Sequence, residues 1–73
     1  MTRKEIRAEI REVFPDAVVL SIRQASKCLG VEWHTAQKNL EHLPWFEVKK
    51  GQKSYAVKDI VDYLYVSQKG AKA

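Results

Sequence analysis

Apolar positions recur at helical spacing in four stretches of this chain and alternate with polar ones in a fifth. In the first stretch, Ile6, Ile10, Val13 and Phe14 fall on one face of a helix predicted over Thr2 to Phe14. Thr2 with Glu5 three residues on has capping-box spacing. Pro15 stops the helix, because a proline pushes the residue before it out of the right-handed helical region. Asp16 and Ala17 turn the chain into a short apolar, strand-like piece, Val18 to Leu20. Ser21 opens a second helix with another capping-box spacing, to Gln24. Ile22, Ala25 and Leu29 share its inner face with Cys28 beside them. Gly30 ends it at a left-handed position, and Val31 is expected to plug the turn.

The third helix is predicted from Trp33 to Leu43, where Pro44 ends it. Trp33, Ala36, Leu40 and Leu43 share one side. His34, Thr35, Lys38, Glu41 and His42 spread over the other, with Gln37 on a flank. Trp45 to Lys49 and Ser54 to Val57 then read as two strands of a hairpin, with Phe46 and Val48 alternating with Glu47 and Lys49. Lys50 to Lys53 form its turn, and Gly51 supplies the positive φ. A last helix beginning near Lys58 buries Ile60, Val61 and Leu64, leaving Tyr63 and Tyr65 at the rim. Residues 1–66 are expected to form one domain, and 67–73 a flexible basic tail.

Length and composition narrow the classes. Seventy-three residues make one small core. The lone Cys28 excludes an internal disulfide and fits a reducing compartment. No apolar run is long enough to cross a bilayer, and the first residues carry no apolar signal core, so a cytoplasmic location is expected. Thirteen basic against nine acidic residues give a formal charge of +4, which suits a polyanion. The placement of those charges says more than their sum.

On the third helix the polar side carries His34, Thr35, Gln37 and Lys38, residue types that can reach base edges in a major groove. A merely solvated face would carry similar residues; the lysine-rich hairpin that follows favours groove contact. Phosphate contacts are expected from Arg23, Lys49, Lys50, Lys53 and Ser54. On the first helix Arg3, Arg7 and Arg11 follow at one-turn intervals, with Glu5, Glu9 and Glu12 on the other flank. None of these forms an opposite-charge pair at the spacing that stabilises a lone helix. The strip suits a second set of phosphates or a neighbouring protomer, and an ordinary charged surface remains open. Trp33 and Trp45 are expected to close the core. Cys28, His34 and His42 are too widely spaced for a zinc site, so no metal or cofactor is expected. No nucleophile–base pair or phosphate loop is present, and no enzymatic activity is expected.

Parsed in this way, Ser21 to Leu64 resembles the excisionase family of small winged helix-turn-helix proteins, and more distantly the DNA-binding head of MerR-type regulators. The residues that carry the resemblance are Ala25, Leu29-Gly30-Val31 at the turn, Thr35, Leu40, Tyr55 and Lys58-Asp59-Ile60. Glu32 replaces the family's usual serine cap, and Gln37-Lys38 replace a frequent arginine pair. The resemblance implies an α+β winged helix-turn-helix: an N-terminal helix, two motif helices, a two-stranded wing and a C-terminal helix. It implies double-stranded DNA as partner, a tyrosine or serine recombinase (integrase) beside it, and cooperative self-association on the DNA. The role would be to steer recombination toward excision in a phage or other mobile element. A phage or plasmid transcription regulator of the same fold is the first alternative; a winged helix that docks an acidic protein is the second.

Overall fold

The computed structural model describes residues 1–68, which form a small α+β unit of four helices and a three-stranded antiparallel sheet. In chain order these are α1 (Arg3–Val13), β1 (Val19–Ser21), α2 (Ile22–Leu29), α3 (Trp33–Leu40), β2 (Phe46–Lys49), β3 (Gln52–Ala56) and α4 (Val57–Ser67). Both predicted capping boxes are formed. The Thr2 hydroxyl accepts from the Glu5 N–H while the Glu5 carboxylate accepts from the Thr2 N–H, and Ser21 and Gln24 do the same. Each box satisfies two of the amides that a helix start leaves unpaired.

Gly30 sits at φ 71, ψ 30, as the turn required. Backbone bonds close the turn: the Gly30 N–H donates to the Lys27 carbonyl and the Val31 N–H to that of Ser26. Val31 itself is exposed and plugs nothing, because those backbone bonds already define the corner. α3 stops at Leu40, three residues before the predicted end. Pro44 disfavours helical backbone at Leu43, and Glu41 and His42 form a turn that swings the chain toward the sheet.

The sheet order is β1-β3-β2. The strand-like piece before α2 therefore joins the hairpin, where a two-stranded wing was expected. Val19 pairs with Ala56, Leu20 with Tyr55 and Ser21 with Ser54. By the two-residue period, Leu20 and Tyr55 point to one face and Val19 and Ala56 to the other. Leu20 and Tyr55 enter a core with Ile6, Ile10, Ala25, Leu40, Val57, Ile60 and Val61. Tyr55, Leu20, Leu40 and Ile60 are its largest fully buried side chains. The core thus takes a face from each of α1, α2, α3 and α4 and one face of the sheet.

The hairpin departs from its predicted form in three ways. Its turn is only Lys50-Gly51, with Gly51 at φ 77, so Gln52 and Lys53 belong to β3. Val57 opens α4 rather than closing the strand. The register shifts by one residue between Phe46 and Lys49, a bulge on the outer strand. All of β2 is exposed, including Phe46 at 48% and Val48 at 69%. Their alternation does not mark a buried face, because β2 is the edge strand and none of the described elements covers it. Val13, in the last turn of α1, is exposed for a similar reason: it borders an open cleft beside Cys28 and Leu64.

At the other end, the Met1 ammonium donates to Oε1 of Gln68, whose Nε2 donates to the Met1 carbonyl. Ser67 belongs to α4, so the helix runs past the expected boundary at residue 66. The rest of the expected tail, residues 69–73, lies outside the described residues. None of the described helices is long and apolar enough to cross a membrane.

Candidate nucleic-acid interface

α3 is held by its apolar stripe. Ala36 and Leu40 are fully buried, and α3 packs against α2 across the Gly30 corner. That docking fixes the rotation of α3 about its axis and turns His34, Thr35, Gln37 and Lys38 to the outside, where all four are exposed. The four expected base-reading residues therefore share the uncovered side of one short, anchored helix.

The start of α3 holds a cluster that sequence reasoning missed. Trp33 is 39% exposed, and its ring stacks on His34 with centroids 3.8 Å apart and planes 29° from parallel. The Arg23 guanidinium of α2 lies 5.9 Å above the same indole. Trp33 was expected to close the core, and its position on the helical wheel favours that. Side chains on a helix lean toward its N-terminus, however, so a first-turn residue reaches past the end of the packed stripe. Its place as the first helical residue was the signal to read. Glu32, which precedes it, makes no side-chain bond to the first turn, unlike Thr2 and Ser21. The stack orients the imidazole of His34, and Arg23 adds a positive charge over the indole.

The hairpin tip carries Lys49, Lys50 and Lys53, all exposed. They differ in freedom. Lys53 lies 4.9 Å from the centroid of the Trp45 ring, a cation–π distance. Trp45 was also expected in the core but is 49% exposed, since the segment entering the edge strand has no layer over it. The tip also holds an acid: the Glu47 carboxylate accepts the Gly51 N–H at 2.9 Å and so closes the turn. One carboxylate therefore offsets part of the lysine charge.

One expected phosphate contact, Ser54, and one residue of the α1 strip, Arg3, are placed differently. Ser54 is 6% exposed, paired with Ser21 on one side and Phe46 on the other. It sits at the root of the hairpin, out of reach of a backbone lying on its surface. Arg3 is drawn to α4: its Nε donates to Oδ1 of Asp62 at 2.6 Å, and its guanidinium lies 4.2 Å over the Tyr65 ring. The i, i+4 logic within α1 could not show this pairing, because the partner comes from another helix. Arg7 and Arg11 remain exposed, with no hydrogen bond or ion pair among the described residues.

The Glu5 carboxyl is held below its ordinary value by the Thr2 hydrogen bonds, while burial raises the Cys28 thiol and the Tyr55 phenol. Among the described residues no three His, Cys, Asp or Glu converge as metal ligands. No family model matches this chain, and no curated protein or solved structure is significantly similar to it.

Proposed function

We propose that this chain is a winged helix-turn-helix protein that binds duplex DNA in a sequence-specific way, as an excisionase-like directionality factor of a mobile element. One observation carries the reading. A helix–glycine–helix unit is followed directly by a lysine-tipped hairpin whose return strand pairs with β1, and the polar side of the second helix is left uncovered. In this reading α3 enters the major groove with its N-terminal half, where His34, Thr35, Gln37 and Lys38 meet base edges. Trp33 holds His34 in orientation. Arg23, Lys49, Lys50 and Lys53 lie on phosphates and set position and affinity. The role makes an integrase and further copies of this chain on the DNA its partners, and the chemistry of the site is wholly non-covalent.

The test is binding of genomic duplex fragments from the gene's own neighbourhood, followed by fluorescence anisotropy at several salt concentrations. Four cations on phosphates give a slope of log K against log salt of about −3.6, or roughly a hundredfold loss between 50 and 200 mM. A fragment flanking a recombinase gene is expected to bind more tightly than a scrambled one. Absence of binding at low salt refutes the reading.

A further inference from the structure

The face of the sheet opposite the core is not flat. Val19 and Ala56 lie opposite each other on it, and Phe46 of the edge strand lies beside them. The last turn of α1 and Phe14, which follows it, rise along one side, and the start of α4 along another. Together they enclose an open, largely apolar cleft of about 480 Å³. Its rim is cationic, with Arg7 and Arg11 one helical turn apart on α1 and Lys58 facing them from α4. No Asp or Glu lines it. A second, smaller depression adjoins it and shares Arg7 and Lys58; Lys4 lines it too, as do Arg3 and Asp62, which pair with each other. The cleft takes no residue from α3 and none of the wing lysines. Val18 stands at its lip, 77% exposed.

We propose that this cleft is a docking site for an acidic peptide segment of a protein partner, one that carries bulky apolar side chains between its carboxylates. The occupant follows from the two halves of the cleft. The rim presents two guanidinium groups and an ammonium, with no hydrogen bond or ion pair among the described residues, and calls for two or more anionic groups. The floor is half-exposed phenylalanine and aliphatic carbon, which water solvates poorly. A duplex answers only the rim: its outer surface is phosphate and sugar, with nothing bulky and apolar to fill a concave floor. An acidic segment with leucine or phenylalanine side chains answers both. The volume falls within the roughly 300–1,000 Å³ of clefts that bury a ligand. Apolar anchors in the floor then supply affinity, while the carboxylates fix orientation and speed encounter. The site shares none of the residues that the proposed function places on DNA, although its Arg7 and Arg11 belong to the strip that also suited a second set of phosphates.

The experiment uses the full chain labelled with ¹⁵N and three probes. The first is a short synthetic peptide in which Asp and Glu alternate with Leu and Phe. The second has every Leu and Phe replaced by Ser, and the third is a duplex DNA fragment. The first peptide is expected to shift the amide signals of Phe14, Val18, Val19, Phe46 and Lys58. An Arg7→Ala, Arg11→Ala double variant is expected to weaken it about tenfold at low salt, equivalent to ~1.4 kcal/mol. That variant removes exposed side chains without described partners, so an unchanged thermal melt is expected to accompany the loss. The site is overturned if the first peptide leaves those signals in place, or if the serine peptide binds as well as the first. It is also overturned if the duplex shifts them instead and the double variant weakens duplex binding, which would make the strip a phosphate contact. Concentration-dependent shifts of the same signals in the free chain, abolished by the double variant, would assign the cleft to a second copy and overturn it as well.

Discussion

Leu40→Ala tests whether α3 is anchored as described. Leu40 is 0% exposed and packs in one cluster with Leu20, Tyr55 and Ile60. Truncation removes three buried carbons. Measured Leu→Ala changes in well-packed cores cost about 2.7–5 kcal/mol, the higher values where the surroundings cannot collapse. Here two of the neighbours, Leu20 and Tyr55, are paired across the sheet, which resists collapse. A cost of about 3–4 kcal/mol is therefore expected. At about 0.05–0.15 kcal/mol per residue, a domain of 73 residues has roughly 4–11 kcal/mol in total. One side chain thus accounts for about a quarter of the stability or more. Urea unfolding followed by circular dichroism should show a lower midpoint with an unchanged slope, and Tm should fall by about 15–30 °C. Val48→Ala is the matched control: Val48 alternates with polar Glu47 and Lys49 but is 69% exposed, so its loss should stay within about 0.5 kcal/mol. A Leu40→Ala cost below about 1 kcal/mol, or a Val48→Ala cost as large as that of Leu40→Ala, would refute this account of the core.

Three further outcomes are expected. Gly30→Ala should cost about 1–2 kcal/mol from backbone strain alone, because a Cβ there meets no atom within 4 Å; Gly30→Asn should cost less, and equal costs for Ala and Asn would point to a clash instead. Burial raises the Cys28 thiol, so ionisation favours the unfolded chain; this contribution to stability is complete below the unfolded thiol's value, about 8.5, and is lost as pH rises through the higher folded value. Iodoacetamide at mildly alkaline pH should therefore label Cys28 more slowly in the folded chain than in urea, and equal rates after correction for urea would count against it. In binding curves on a specific and a scrambled duplex, Lys38→Ala should lower the ratio of the two affinities, while Lys50→Ala with Lys53→Ala should weaken both and flatten the salt slope by about two units. Loss of discrimination from the hairpin variant alone would make the hairpin the reader.

Local chemistry along the chain was enough to specify where the helices begin and where the main corner falls. The boxes at Thr2 and Ser21 and the left-handed Gly30 involve groups within a few residues of one another, so the sequence contains both partners of each interaction. The polar side of α3 was legible for the same reason: a helical period sorts His34, Thr35 and Lys38 from Ala36 and Leu40 without reference to any other element. Tertiary structure decided the rest. Whether an alternating strand buries its apolar residues depends on what is laid over it, and over Phe46 and Val48 none of the described elements is. Trp33 and Trp45 are exposed because one reaches past the end of a helix and the other leads into an edge strand. Ser54 is hidden because β1 closes on β3, a pairing between segments more than thirty residues apart. The fate of the α1 arginines follows the same rule. Arg3 is captured by Asp62 of α4, while Arg7 and Arg11 are left at the rim of a cleft that exists only once α1, the sheet and α4 have come together. Periodicity reports the environment a side chain needs, and long-range packing decides whether the fold provides it.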